Sequence, residues 1–428
     1  MFIQRQARRI RAVYHDYPAQ FWILILGTFI DRVGGALIYP FFTLYVTRKF
    51  GMGMTQVGLV FGLFSVSSIV GSIFGGAMTD RLGRKGMLVF GLVGSASATL
   101  FMGLANSVGL FLLSTIFVGL LAHSGGPAQQ AMVADLLPPA KRAEGFGVLR
   151  VVANLAVTIG PAIGGVLAAR SYLLLFICDV VASLIAALFV VITIRETMRR
   201  TVEDEGAETV MQTFKGYWIV LQDAAFVLFM LACVLRAFVA MQLTTTLPVY
   251  LRDVGGMTER GFGYLLSLNA AMVVLLQFPI TRWVSQFPPL WVMAGGMVLY
   301  ALGFGLYGFV SAYALYFVAV AILTLGEMMT APVSQALVSQ MAPEAMRGRY
   351  MAMYGFSWVI PAAAGPTSAG LVMDYTDPRW VWFGTAVVGL VAAGVFLVLR
   401  RRVGGSFETS GGGVETDVLP GEEAAERV

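Results

Sequence analysis

The sequence predicts an all-α integral membrane protein in which twelve transmembrane helices form two six-helix bundles, related by a pseudo-twofold axis along the membrane normal. Three observations carry that expectation. Of 428 residues, 58% are apolar and 12% charged, with 49 glycines and a mean hydropathy of +0.78; a soluble domain carries about 25% charge. Apolar runs of about 20 residues, the length that crosses a bilayer, recur twelve times. A constant offset, that from Pro127 to Pro332, also lays one half of the chain on the other. It puts Pro127-Ala-Gln-Gln-Ala-Met-Val on Pro332-Val-Ser-Gln-Ala-Leu-Val, Pro138 on Pro343, Arg142 on Arg347, Gly160-Pro161 on Gly365-Pro366 and Leu44-Tyr45 on Val249-Tyr250.

The first six runs span about 20–46, 56–78, 87–105, 108–136, 145–169 and 171–194. Six more follow at 218–251, 261–282, 289–310, 312–341, 348–374 and 380–400. Runs well beyond the minimum length must tilt or bend. The first follows a basic arm, 1–19, with Arg5, Arg8, Arg9 and Arg11, and is too long for a signal-peptide core, so it is read as a retained helix. A polar stretch, 195–217, holds Glu203, Asp204, Glu205 and Glu208 and reads as a cytoplasmic linker between the bundles 20–194 and 218–402. The Gly-rich, then acidic tail 403–428 reads as disordered. An even number of crossings puts both termini on one side. Nineteen Lys and Arg fall on that side against six opposite, namely Arg48, Lys49, Arg170, Arg252, Arg260 and Arg379, so cytoplasmic termini are expected. Short loops suit a multi-pass protein of a prokaryotic inner membrane.

Several function classes drop out. A pI near 9.2 suggests nucleic acid in a soluble protein, but these basic residues punctuate apolar runs and set membrane orientation instead. Cys178 and Cys233 offer no disulfide framework or metal spacing. There is no phosphate-binding G-x-x-x-x-G-K-[ST] loop, and with His15 and His123 the only histidines, no hydrolytic constellation stands out. Neither an enzyme nor an ATP-driven pump is expected, and no cofactor.

The loop between the second and third runs reads Gly76-Ala-Met-Thr-Asp80-Arg81-Leu-Gly83-Arg84-Lys85. It resembles the cytoplasmic motif G-x-x-x-D-R-x-G-R-[KR] of the major facilitator superfamily of transporters, with every signature position filled. The resemblance implies a carrier with a central site between its halves, working by alternating access. It also implies a charge-paired latch of Asp80, Arg84 and Asp135 that steadies the outward-facing arrangement and opens when the cavity faces the cytoplasm. The second-half equivalent, 279–288, has lost the acid and most cations, so the latch is expected on one side only. In the fifth run Gly160-Pro161-Ala-Ile-Gly164-Gly165 resembles the antiporter motif G-x-x-x-G-P-x-x-G-G of drug and proton antiporters, with Ala156 in place of the earlier glycine. Small residues at this spacing also serve close helix packing, so both roles stay open. Asp31, nine residues before Pro40, resembles the D-x8-P feature of the same twelve-helix antiporters.

Charges inside a bilayer are costly and mark function. The candidates are Asp31, Arg32, His123, Arg150, Asp179, Arg236 and Glu327. Asp31, Gly35 and Tyr39 share one face of the first helix, whereas Arg32 lies about 100° away, so only one of the two charges is expected to face a cavity. The repeat pairs Asp31 with Arg236, which suggests an ion pair across the halves, either switching during transport or static with Arg236 or Arg150. Glu327 has no cation within a turn. Asp31 and Glu327 are the leading proton carriers, with hydrogen-bonded packing the alternative for Glu327. His123 is a candidate for a proton relay, with hydrogen-bonded packing, the commoner role of a lone histidine, as the alternative. Asp179, on a helix that is peripheral in the resembled fold, reads as structural. Arg150 and Asn154 are candidates for the polar role of an arginine that the resembled antiporters carry in the fourth helix and this chain lacks. Tyr39, Arg150, Asn154, Arg236, Asn269, Met272 and Trp358 complete the expected substrate cavity. The resulting expectation is a monomeric, lipid-embedded, proton-driven exporter of lipophilic or cationic small molecules. The alternative is a dedicated carrier of sugars, amino acids or organic ions by symport, uniport or exchange.

Overall fold

A backbone that leaves water for lipid must satisfy its own N–H and C=O groups, and these apolar runs do so as helices. The structure is a computed structural model that describes residues 17–197, 218–343 and 346–403. Most of the expected arm, residues 198–217 of the linker and the tail from 404 lie outside the described residues. Among those described are fourteen α-helices. The first seven are α1 (Ala19–Ile38), α2 (Phe42–Phe50), α3 (Met54–Leu82), α4 (Arg84–Leu104), α5 (Val108–Leu136), α6 (Pro139–Ala168) and α7 (Tyr172–Thr193). The second seven are α8 (Ala224–Thr245), α9 (Leu247–Asp253), α10 (Glu259–Val284), α11 (Pro289–Phe309), α12 (Tyr313–Met341), α13 (Arg347–Tyr375) and α14 (Trp380–Val403). A 3-10 turn, Tyr39–Phe41, joins α1 to α2, so the first crossing runs to Phe50.

Side chains and glycines punctuate the runs where the sequence turns polar. Ser107, Ser171, Asp223 and Thr258 each accept a backbone N–H at a helix start. Gly51, at φ 63°, ends α2 in the left-handed conformation that favours glycine. Among the described residues, eleven helical spans, α1 and α2 counting as one, are long and apolar enough to cross a membrane. The twelfth long helix, α13, falls short of that composition because Pro361, Pro366 and several Gly, Ser and Thr interrupt it. It packs between α3 and α8.

The internal repeat is visible in helix ends and in packing. The offset read from the sequence carries α4 onto α11 and α5 onto α12 end for end. Within the first half α1 packs on α6 and α7, α5 on α3 and α4, and α4 on α7; the second half repeats these five pairings with α8 and α10–α14. Even single bonds recur. The Tyr45 hydroxyl donates to the carbonyl of Met102 at 3.2 Å, and its counterpart Tyr250 donates at 2.9 Å to that of Tyr307, the counterpart of Met102.

The halves meet through two contacts that the pseudo-twofold exchanges, α3 on α13 and α6 on α10. Both concentrate at the end remote from residues 17 and 403, here the far end; the end holding those residues is the near end. A Cβ added at Gly58 would lie 2.3 Å from Thr367 Cα, and one at Gly165 would lie 2.7 Å from Gly263 Cα. Only glycine lets these backbones approach so closely. Farther along α3 the fit relaxes, since a Cβ at Gly62 would stand 3.8 Å from Ala363.

Candidate functional site

Between the halves lies a cavity of about 800 Å3, lined by α1 and the turn after it, α2–α8, α10 and α12. Of the charged candidates, Asp31, Arg32, His123, Asp179 and Glu327 line it, as do Tyr39, Asn269 and Pro161. Arg150, Asn154, Arg236, Met272 and Trp358 do not. Arg150 and Asn154 are exposed residues of α6.

On the first-half wall, α1 presents Asp31 to α7, where the Ser183 hydroxyl donates to Asp31 Oδ1 at 2.7 Å. One turn earlier on the same face, Asp179 lies within electrostatic reach of Asp31 and has Thr99 of α4 as its hydroxyl partner. Gly34 makes the room, because a Cβ there would lie 2.8 Å from Asp179 Oδ1. Deeper toward the near end Gln129 Nε2 donates to Thr28 Oγ1 at 2.5 Å. This geometry corrects the peripheral placement of Asp179, which lines the cavity, while its Thr99 partner on α4 is in keeping with the expected packing role within the first half. Sequence reasoning demoted it because its helix is peripheral, although Asp179 and Ser183, four residues apart, advertised one polar face. It also corrects the reading of Arg32. Both neighbours line the cavity, because the cavity extends around α1 toward α5, where Arg32 comes within electrostatic reach of His123. The His123 ring stands edge-on to Phe64 at 5.8 Å between centroids.

The opposite wall differs. Asn269 of α10 donates from Nδ2 to Glu327 Oε2 at 3.1 Å and to Thr324 Oγ1 at 2.9 Å, fixing the carboxyl group on α12. Arg236 does not reach Asp31 in this conformation. It is 2% exposed, donates from Nη2 to Tyr354 at 3.3 Å and lies 5.1 Å over the Trp358 ring. Tyr354 in turn shares a 2.8 Å hydrogen bond with Ser334. Arg236 stays within electrostatic reach of Glu327, so a burial cost that an isolated guanidinium could not meet is offset inside its own half. Tyr39 bridges the walls, its hydroxyl 3.5 Å from Met241 Sδ.

At the near end the loop motif is a helix start. Gly83, at φ 89°, turns the chain into α4, and a Cβ there would lie 2.5 Å from Glu196 Oε2. The Glu196 carboxylate accepts from Arg84 N at 3.0 Å and Lys85 N at 3.1 Å, a negative charge at the positive end of the helix. Arg84 Nε pairs with Asp135 Oδ2 at 2.6 Å, Thr197 donates to the same oxygen at 3.1 Å, and Lys85 Nζ donates to Val191 O at 2.8 Å. Arg81 is exposed, a Cβ at Gly76 would meet nothing within 4 Å, and the Asp80 side chain lies outside what is described. All these partners belong to the first half, and the Arg84–Asp135 pair is formed while the far end is closed. The pair therefore ties α4 to α5 and is not in itself a bolt between halves. Glu196 went unnoticed in the sequence because it sits 112 residues from Arg84 at the edge of the polar linker.

The glycines of the antiporter-like segment are contact points. A Cβ at Gly160 would lie 2.4 Å from Ala36 Cβ, one at Gly164 would lie 2.7 Å from Leu37 O, and Gly165 meets Gly263 across the halves. They let α6 lie against α1 and α10 at once, while Pro161 faces the cavity.

Comparison with known proteins agrees with this architecture. The family described as Major Facilitator Superfamily matches residues 24–265 and 255–425. A Na(+), Li(+), K(+)/H(+) antiporter of Planococcus maritimus is 31% identical, covering 91% of this chain and 95% of the relative. The multidrug resistance protein MdtH of Salmonella paratyphi B is 23% identical, covering 86% and 91%. Among solved structures, the nucleoside transporter NupG superposes with a TM-score of 0.74 at 14% identity, covering 89% of this chain and 99% of that one. On the helix repeat, the cavity between the halves and the family match over nearly its whole length, the chain belongs to the major facilitator superfamily and is a transporter, not an enzyme.

Proposed function

We propose that the protein is a proton-coupled antiporter that exports cationic small molecules by alternating access. The observation that carries this reading is the Asp31–Asp179 pair on one cavity wall facing Glu327 on the other. Two carboxyl groups within electrostatic reach, with Ser183 and Thr99 as hydroxyl partners and Arg32 as a cation acting on Asp31, resist ionising together unless a further cation or a proton offsets the second charge. A substrate cation and a proton thus compete for one site. Loading with protons on one side of the membrane releases the cation, and loss of protons on the other restores the site. The proton gradient supplies the free energy. A cavity of about 800 Å3 gives room for an organic cation with an apolar body against Phe42, Phe61 and Phe64. A second reading, exchange of Na+, Li+ or K+ for protons, draws on the cluster of Asp and hydroxyl oxygens and on the activity named for the Planococcus relative. With cytoplasmic termini, the closed far end is the outer side.

The test is flux in proteoliposomes under an imposed pH gradient, with a fluorescent lipophilic cation in one arm and Na+, Li+ and K+ in the other. Gradient-driven movement of the dye that Asp31→Asn and Asp179→Asn abolish supports export of organic cations; movement of the metal cations alone selects the second reading. No movement of either by folded protein overturns proton–cation antiport and returns the search to sugars, amino acids and organic ions.

A further inference from the structure

We propose that Asp374 is the far-end gate residue of the transport cycle, acting as a helix cap supplied by one half to the other. An α-helix begins with backbone N–H groups that lack intrahelical partners, and a Ser, Thr, Asn or Asp side chain at the N-cap commonly accepts from one. The helix α3 opens after Gly53, which has no side chain to do so. Gln56 Oε1 accepts from Gly53 N at 3.2 Å. The next two donors, Met54 N and Thr55 N, are taken by Asp374 Oδ1 at 3.0 Å and Oδ2 at 2.8 Å. Asp374 lies near the end of α13, in the other half of the molecule.

The repeat shows that this cap is borrowed. The position equivalent to Gly53 is Thr258, which starts α10 and accepts from Gly261 N at 3.2 Å with its own hydroxyl. The position equivalent to Asp374 is Ala169, which has no carboxylate to offer α10. One half therefore caps its helix in cis and the other relies on its partner across the gate. The site is shaped for the exchange. A Cβ at Gly53 would come within 2.9 Å of Asp374 Oδ2, and one at Gly370, a turn back on α13, would lie 2.3 Å from Met54 C. Three further links cross the same seam, Arg48 Nη1 to Glu259 Oε1 at 2.6 Å, the Tyr172 hydroxyl to that same oxygen at 3.2 Å and Arg252 Nη1 to Thr47 at 2.8 Å. Arg48 is 65% exposed and Arg252 is also bonded to Asp253, whereas Asp374, itself exposed, engages two helix-end donors at once. The far end cannot part without stripping Asp374 from α3. This inference rests on the protein being a carrier whose halves rock apart, and not on the identity of its cargo.

The experiment measures the far-end opening directly, with spin labels at exposed loop positions of the two halves, Asn106→Cys and Ser311→Cys, in a background with Cys178→Ala and Cys233→Ala. Asp374→Ala is expected to raise the open-to-closed ratio about fivefold, the typical worth of one N-cap. Gly53→Ser is expected to do the same from the other side, because the serine caps α3 itself and crowds the carboxylate. In Gly53→Ser the thermal midpoint stays at the parent value, whereas a merely structural role for Asp374 would leave the distances fixed and lower the midpoint in Asp374→Ala alone. Unchanged distance distributions in Gly53→Ser overturn the proposal even if Asp374→Ala fails to fold. No substrate or proton gradient enters the measurement, so its failure is distinct from failure of proton–cation antiport.

Discussion

In the first half the buried charges are two carboxyl groups joined in one hydroxyl-lined cluster, Asp31 and Asp179. In the second half they are one carboxyl group, Glu327, and one guanidinium, Arg236, each held by neutral partners and within electrostatic reach of each other. Helices related by the repeat thus carry different electrostatic designs. With Arg32 counted beside Asp31 and Asp179, the first wall has one more acid than cation, a surplus that a proton or substrate cation offsets, while the second is close to neutral. The near-end turns diverge in the same way. Gly83-Arg84-Lys85 needs the Glu196 carboxylate to satisfy the amides opening α4, whereas the equivalent Pro288-Pro289 opens α11 with a proline at its first position, whose missing N–H removes one of the two donors that Glu196 takes in the first half. Duplicated helices have kept their packing and divided the chemistry.

The sharpest way to break this comparison is to remove the surplus charge. Asp31→Asn combined with Asp179→Asn is expected to cut gradient-driven flux about 100-fold, the equivalent of about 2.7 kcal/mol in the barrier. If the two groups act as one site, either single variant should lose nearly as much as the double, which a double-mutant cycle of initial rates will show. A packing exchange between halves comes next. A Cβ at Gly75 would lie 2.0 Å from Ser124 O, whereas the equivalent residue of α10 is Ile280. Installing that residue, Gly75→Ile, is expected to cost about 2 kcal/mol through overpacking of α3 on α5, read as a lower thermal midpoint in detergent. Gly76→Ala, with no neighbour within 4 Å, should leave the midpoint unchanged.

The neutral wall should be more forgiving. Glu327→Gln keeps the acceptor for Asn269 and is expected to lower flux about tenfold, or about 1.4 kcal/mol; a loss as deep as that of the Asp pair would mean that the walls work together. The smallest effect belongs to the near-end turn. Glu196→Gln removes a charge from the start of α4 and should cost about 1 kcal/mol, measured by thermal unfolding, with flux retained in the folded fraction.

Segment positions were legible because hydropathy is local and a span needs about 20 apolar residues. The run 108–136 matches α5 residue for residue, and 289–310 exceeds α11 by one. The run 348–374 also locates α13, Arg347–Tyr375, although Pro361, Pro366 and its small polar residues depress its hydropathy. The acidic candidates Asp31 and Glu327 were also legible, because a carboxyl group stands out in an apolar run. Their partners were not. Asp31 was set against Arg236 by the repeat, but the pseudo-twofold relates equivalent positions without bringing them into contact, and α1 turns Asp31 toward α7 instead.

From the sequence alone follow the membrane setting, the twelve runs, the duplication and the residues whose burial is expensive, because composition and period express themselves within one helix at a time. The tertiary structure decided which helix faces which. It brought Asp179 to Asp31, Glu196 to the start of α4, and Asp374 of the last-but-one helix to Met54 at the start of α3. A carboxylate chooses its partner by distance and direction, and both are set only when helices far apart in the chain have packed.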